Sequence, residues 1–198
     1  MQYRIILSVV TIVLTFIGYA PYFRDILKKK TTPHVFTWFI LTLAGFITYG
    51  LQVVGGGGVG SWSLLAATLI AFVFFLYALK AGKKNITLSD IFFLLLALVA
   101  LFMWLVVKQP VWSVILITSA EILGFVPTVR KSWNQPYSET LSTYEIFIVR
   151  LGLSVFALEK INILTALYPI AWTAVNIFFS IFLIIRRKQL AKYWNKIA

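Results

Sequence analysis

Seven long apolar stretches divide this chain, and their length is the strongest constraint on its fold. They cover roughly residues 4–23, 35–51, 62–79, 90–107, 111–129, 141–159 and 167–185. About 20 mostly apolar residues are enough to cross a bilayer as a helix. Hydrophobic residues make up 61% of the chain and charged residues 12%, against about 45–50% and about 25% in soluble domains. The sequence therefore predicts an all-α membrane protein with seven transmembrane helices and excludes an ordinary soluble enzyme.

The first stretch is expected to be a retained helix rather than a signal peptide. Pro21, Tyr22 and Phe23 stand at its end, where a signal peptide would carry small residues for cleavage.

The Lys and Arg residues alternate in density between successive connections. Fourteen of the eighteen lie after stretches one, three, five and seven, and three lie on the opposite side. Because Lys and Arg gather on the cytoplasmic side of membrane proteins, we expect the N-terminus outside and the C-terminus in the cytoplasm. We also expect a multi-pass protein of the plasma or inner membrane. The formal charge of +12 then reflects topology and contact with anionic membrane lipid, not nucleic acid.

The chain contains an internal repeat with an offset of 106 residues. IGYAPYFR at 17–24 aligns without a gap with LGFVPTVR at 123–130. Each copy of the repeat contains three helices. Because three is an odd number, a second copy joined directly to the first would have the opposite orientation in the membrane. One extra crossing between the copies keeps both in the same orientation. The stretch 90–107 suits that task because it is apolar all round and can face lipid.

The predicted architecture is 3+1+3, with two parallel triple-helix-bundle repeats joined by a linker helix. The first repeat covers 1–82, the linker helix 83–108, and the second repeat with its basic cytoplasmic tail 109–198. Transporters with parallel repeats place their substrate site near the midplane between the repeats.

The motif GYAPYFRDILKKKTTPHVFTW and its echo GFVPTVRKSWNQPYSETLSTY resemble the PQ-loop repeat of PQ-loop, SWEET and SemiSWEET transporters, here in a seven-helix form. The resemblance implies a small-solute carrier that works by alternating access. Asn176 corresponds to the asparagine that sugar-transporting members use in the third helix of a repeat, and its partner at the offset is Ile70. The missing asparagine pair favours charged or zwitterionic solutes over sugars.

Two proline positions are candidate hinges. Proline removes a backbone donor and weakens a helix, and Pro21 and Pro127 occupy equivalent places in the two repeats. Gly18 and Gly124 each lie three residues earlier. These four residues are either paired hinges that let each repeat move or static kinks.

Glu121 is the sharpest single functional signal, because an ionised carboxylate is costly within a membrane. It lies two turns, about 9 Å, before Pro127 in the fifth stretch. We expect it to face the bundle interior and to be protonated. It is either a proton-coupling or substrate-amine site or a neutral acid hydrogen-bonded to a neighbour.

Arg150 lies near the middle of the sixth stretch and needs a partner, with Glu121 and Glu145 as the candidates. It forms a structural ion pair or clamps a substrate carboxylate. Asn176 and Trp172 are four residues apart and share a helix face, which suits binding of a polar solute. Trp62, Trp112 and Tyr168 lie at the ends of stretches and are expected to be interfacial anchors.

Other motifs do not point to chemistry. The chain has no cysteine and a single histidine, His34, so no metal site and no cofactor is expected. The run Gly55–Gly58 is expected to be a flexible loop, not a nucleotide cradle. The six acidic residues are scattered, and an enzyme is not expected.

The leading hypothesis is an integral membrane transporter that moves a small polar solute such as a sugar, an amino acid or a related metabolite. Transport would be facilitative or proton-coupled, so the partners would be the solute, protons and membrane lipid. One chain carries both repeats and could form one pathway as a monomer, and higher assembly stays open. The alternative is a heptahelical receptor or scaffold of the same fold that binds without transport.

Overall fold

The computed structural model describes residues 2–29, 33–81, 86 and 88–197. Within these ranges the chain forms seven α-helices: α1 (Gln2–Leu27), α2 (Val35–Val54), α3 (Trp62–Ala81), α4 (Leu88–Leu105), α5 (Pro110–Asn134), α6 (Leu141–Ala157) and α7 (Ile163–Ile197). Short 3-10 turns at Gly58–Ser61 and Pro136–Ser138 precede α3 and α6. One helix corresponds to each predicted stretch, so the all-α prediction is confirmed.

Five of the described helices, α1, α2, α3, α5 and α7, are long and apolar enough to cross a membrane. The apolar part of α4 is the shorter segment Ile91–Leu105, and α6 has 17 residues. Of the seven predicted spans, five are therefore helices with the length and composition to cross a membrane. α6 is shorter because it ends at Ala157. Such helices are those expected of a multi-pass membrane protein.

Large apolar side chains cover the outside of the bundle, and several polar side chains are buried within it. Large apolar residues such as Phe16, Phe156 and Phe178 are exposed, whereas Thr11 and Thr15 are fully buried. Lipid hydrocarbon offers no hydrogen bonds, so polar groups have to find partners within the bundle. The interior is therefore the place to look for a polar site.

The two halves of the chain pack in the same order. α3 contacts both α1 and α2, and α7 contacts both α5 and α6. The halves meet along α1 and α6, and more loosely along α2, α5 and α7. The close α1–α6 contact leaves no room for a side chain at residue 18, because a Cβ on Gly18 would collide with the Phe147 ring.

Helix α4, the predicted linker, packs against α5 and α2. Ala97 and Ala100 are buried on that side, while Phe92, Leu95 and Phe102 are exposed. One face of α4 is thus exposed, as the predicted lipid-facing linker would require. The other face uses small residues for close helix contact, as membrane helices commonly do.

One end of the bundle, here called the glycine end, is closed by a backbone contact between two turns. The Glu159 and Lys160 amides donate to the Gly57 and Gly56 carbonyls at 3.1 Å each. Gly56 has a φ of +79°, which favours glycine. The expected flexible loop is therefore wrong, because main-chain hydrogen bonds hold the α2–α3 turn in place. We call this contact between Gly55–Ser61 and Leu158–Thr165 the glycine latch.

Side chains complete the glycine latch. The Ser8 hydroxyl donates to the Val59 carbonyl at 2.8 Å, and the Asn162 amide donates to the Gly55 carbonyl at 2.7 Å. The Asn162 side-chain oxygen Oδ1 also accepts from the Leu164 main-chain amide, as the side chain of an N-cap residue does. The opposite end, where Arg187 donates to the Pro136 carbonyl, is here called the basic end.

Gly60→Ala should destabilise the protein, because the added Cβ would lie 2.5 Å from the Leu158 amide nitrogen. Backbone atoms cannot move aside cheaply, and overpacking of this kind costs about 1–3 kcal/mol. The matched control is Gly152→Ala, whose Cβ would meet nothing within 4 Å and which should stabilise α6 slightly. Thermal unfolding in detergent measures both, and equal effects would contradict a tightly packed latch.

Candidate functional site

A cavity of about 320 Å³ lies between α2, α4, α5 and α7. Thr37 and Ser89, at the starts of α2 and α4, line its mouth at the basic end. Deeper walls come from Leu41 and Ala44 of α2 and from Ala97 of α4. The cavity therefore runs from the basic end into the bundle, and it is wide enough for a small ligand.

Glu121 lies at the inner part of this cavity, roughly halfway along α5. The indole nitrogen of Trp172 donates to its Oε2 atom at 3.1 Å. The Phe125 ring, on the next turn of α5, meets the Trp172 ring edge-on at 5.7 Å. The prediction that Glu121 faces the interior is confirmed, and Trp172 is brought to the same site from α7.

Asn176 lies beside this site but not on the cavity wall. Its side chain is 4% exposed, and its amide donates to the Trp172 carbonyl at 2.6 Å. Asn176 and Trp172, which were predicted to share a helix face, are thus in direct contact through this hydrogen bond. Asn176 supports the backbone that carries Trp172, whereas the Trp172 ring reaches the cavity.

Arg150 lies in a different part of the bundle. It is buried, donates to the Thr15 hydroxyl of α1 at 3.2 Å, and lies 5.2 Å from the Phe147 ring centroid. The cavity it lines has a volume of only about 10 Å³, far too small for an organic solute. In this conformation Arg150 is not part of the cavity that holds Glu121.

Glu121 and Arg150 do not form the pair that the sequence suggested. Neither belongs to an ion pair among the described residues, although Arg24 and Asp25 form one at 3.2 Å. Glu145, the other candidate partner, is exposed. Tyr168 lies between the two groups, since its hydroxyl interacts with the Glu121 carboxyl and its side chain lines the small Arg150 cavity.

The two contacts between the halves differ at the level of Glu121 and Arg150. At the offset of 106 residues, Thr15 corresponds to Glu121 and Ala44 corresponds to Arg150. Between α1 and α6, the long Arg150 side chain reaches Thr15. Between α5 and α2, Ala44 faces the cavity that contains Glu121. A methyl group where the other repeat has a guanidinium leaves room for a ligand.

A second cavity of about 290 Å³ lies between α1 and α6 at the basic end. Four of its lining residues match lining residues of the larger cavity at the same offset: Gly18 with Gly124, Tyr19 with Phe125, Thr143 with Thr37, and Phe147 with Leu41. The second cavity also contains Glu139, whose Oε2 atom accepts from the Tyr144 hydroxyl at 2.6 Å.

The candidate hinges lie within continuous helices. α1 runs through Pro21 and α5 runs through Pro127 without a break. Gly18 is packed under Phe147, whereas Gly124 lines the larger cavity and faces Phe93 of α4 with ordinary clearance. The two glycines therefore differ in surroundings, and hinge motion stays a prediction.

Sequence reasoning missed a proline that matters structurally. Pro169 lies inside α7 and has no amide hydrogen, so the Thr165 carbonyl one turn earlier loses its helical donor. The Gln52 amide of α2 donates to that carbonyl at 2.8 Å. A proline inside an apolar stretch was the available signal, and it indicates a carbonyl that needs a partner from another helix.

Tyr168 is also placed differently from its prediction. Trp62 and Trp112 are 44% and 59% exposed, which suits interfacial anchors. Tyr168 instead points into the bundle, as its contact with Glu121 requires. His34 caps α2, with its ring nitrogen accepting from the Thr37 amide. The described residues contain no cluster of His, Cys, Asp or Glu suited to a metal ion.

Thr15→Val should lower stability by about 1–3 kcal/mol, because the buried guanidinium of Arg150 loses a hydrogen-bond partner. The same change in an Arg150→Met background should cost clearly less, since no charge is left unsatisfied. Thr11→Val is the matched control, because the Thr11 hydroxyl donates to the Ser8 carbonyl of its own helix. Equal costs of Thr15→Val in both backgrounds, measured by unfolding in detergent, would contradict the Thr15–Arg150 contact.

Comparisons with known proteins give no assignment, since no family model, no curated protein and no solved structure matches this chain. The site itself has two defining features: a carboxyl group at the inner part of a mostly apolar cavity and a buried guanidinium outside it.

Proposed function

We propose that this protein is a membrane carrier that moves a small solute by alternating access. One observation carries the proposal: the cavity runs from the basic end to Glu121 halfway along α5, while the glycine latch closes the other end. A carrier needs a site that is open to one side of the membrane and closed to the other. A cavity mouth at the basic end and a hydrogen-bonded latch at the glycine end support this requirement in the described conformation.

The two halves of the chain support the proposed 3+1+3 arrangement of parallel repeats. In the first half, Trp38 of α2 meets Phe74 of α3 with ring centroids 4.7 Å apart. In the second half, Tyr144 of α6 meets Phe179 of α7 at the same distance. Trp38 and Tyr144 are equivalent at the offset of 106 residues. Together with the two matched cavities, this similarity favours a duplicated triple-helix unit of the PQ-loop and SWEET type.

We propose that the basic end faces the cytoplasm, because Lys and Arg concentrate on that side. The N-terminus and the glycine latch would then face outward, and the cavity would be open to the cytoplasm. Such a topology suits a plasma or inner membrane, and a single chain could supply one complete pathway.

Alternating access predicts opposite changes at the two ends, and the cysteine-free chain suits cysteine labelling. In the described conformation, Thr37→Cys at the cavity mouth should react quickly, and Ser61→Cys, at a residue 0% exposed under the latch, should react slowly. Adding Gly60→Ala should weaken the latch, so labelling should rise at residue 61 and fall at residue 37.

The control background for this experiment is Gly152→Ala, which should change neither rate. An impermeant maleimide reads residue 37 in inside-out membrane vesicles, which present the proposed cytoplasmic end, and reads residue 61 in right-side-out vesicles, which present the glycine end. A rise at residue 61 with no fall at residue 37 would contradict alternating access and favour a receptor or scaffold.

Glu121 is the proposed site of proton coupling. Uptake of the transported solute into proteoliposomes, screened among labelled sugars, amino acids and amines, should respond to an imposed pH gradient. Glu121→Gln should remove that response because the group can no longer exchange a proton. Glu145→Gln, at an exposed carboxyl on α6, should leave the response unchanged. Uptake that ignores the gradient in the parent protein would indicate a facilitative carrier.

A further inference from the structure

We infer that the cavity between α2, α4, α5 and α7 binds an amphipathic organic cation, a single amine attached to an apolar or aromatic body. The inference rests on the proposed carrier function and names the class of solute. It follows from the charge, the wall chemistry and the shape of this one cavity.

The charge of the cavity comes from one residue. Among the described residues that line it, Glu121 is ionisable, and none is Lys, Arg or His. On the facing wall, Ala44 occupies the position where the other repeat carries Arg150. The described walls therefore supply a carboxyl group without a cation beside it, and a ligand ammonium would pair with the ionised form of that group.

Aromatic rings from three helices line the cavity that contains the carboxyl group. Phe93 of α4, Phe125 of α5 and Trp172 of α7 line the cavity. The hydrogen bond from Trp172 to Glu121 and the edge-on contact between Trp172 and Phe125 fix the position of the indole ring. A cation near Glu121 would also be attracted by such ring faces, and an apolar body would be stabilised by the remaining walls.

The same geometry disfavours other solutes. A sugar needs several polar partners at once, but beyond Glu121 the polar side chains on the described walls are Thr37 and Ser89 near the mouth. A zwitterion needs a cation for its carboxylate, and Arg150 lies beyond Tyr168 in a space of about 10 Å³. The earlier expectation of a zwitterionic solute therefore gives way to a monocation.

The first test is a thermal-shift titration of the purified full chain in detergent with a matched series of probes. Phenethylamine carries the ammonium, 2-phenylethanol is its neutral counterpart, 3-phenylpropionate carries a negative charge, and phenylalanine is the zwitterion. Phenethylamine should stabilise the protein with an affinity about tenfold or more above the others. Equal or tighter binding of the alcohol, the zwitterion or glucose would overturn the inference.

Variants locate the binding. Glu121→Gln should reduce the preference for phenethylamine over 2-phenylethanol to near unity, and Glu145→Gln should leave it intact. Ala44→Arg copies the residue of the other repeat and should abolish phenethylamine binding, because the guanidinium would fill the cavity and pair with Glu121. Retention of full binding in Glu121→Gln or in a folded Ala44→Arg would contradict this site.

A size variant avoids dependence on Glu121. Gly124→Leu should project into the cavity toward Phe93 and weaken phenethylamine binding about tenfold or more. Gly152→Leu, at a position where a Cβ would meet nothing within 4 Å, is the matched control. Unchanged binding in a folded Gly124→Leu protein would show that the amine binds elsewhere.

Binding and flux separate this inference from the proposed function. Saturable binding of phenethylamine with no flux in proteoliposomes would leave the amine site standing and overturn the carrier. Flux of a sugar or a zwitterion with no preference for the amine would leave the carrier standing and overturn the assigned solute class.

Discussion

The contact between Arg150 and Thr15 organises the interior of this bundle. A guanidinium deep among apolar helices is stable only where its charge meets polar groups and ring faces, and α1 supplies the hydroxyl while Phe147 supplies the ring. Meeting that need brings α6 close against α1, and Gly18 permits the approach. Between α5 and α2, Ala44 stands at the position that corresponds to Arg150 at the offset of 106 residues. The two contacts between the halves therefore differ in packing at this level of the bundle.

A second polar contact ties the two halves together at the glycine end. Pro169 deprives the Thr165 carbonyl of its donor within α7, and Gln52 from α2 takes that place. The Gln52 side chain is 3% exposed, so water does not compete for the bond. Because this bond joins the first half to the second beside the glycine latch, movement of α2 relative to α7 would have to break it or carry it along. The sealed end is therefore held by both turns and helices.

Hydropathy was sufficient to predict the helices, because lipid exposure demands apolar side chains over the full length of a crossing. It could not identify which face of a helix points inward, and for that reason Tyr168 was assigned to the interface. The inward position of Glu121 was predictable from the cost of its charge, but its contact with Trp172 joins residues 51 positions apart. The partner of Arg150 was expected to be a carboxylate, but it is the Thr15 hydroxyl. Thr15 is the residue that corresponds to Glu121 at the offset of 106 residues, so the alignment contained a clue to this contact. The run Gly55–Gly58 was expected to be a flexible loop because glycine allows many backbone conformations. Hydrogen bonds from the Glu159 and Lys160 amides instead hold this turn in one conformation.

The glycine latch has a property that a latch of ion pairs would lack. Its two central bonds join main-chain amides to main-chain carbonyls, groups that do not titrate and that salt screens only weakly. Acidity and ionic strength therefore have little leverage on these two bonds, and the titratable part of the latch is the Glu159 carboxylate, which accepts from the Val59 amide at 3.4 Å. In the proposed carrier, control of opening would therefore come through Glu159 or through the helices.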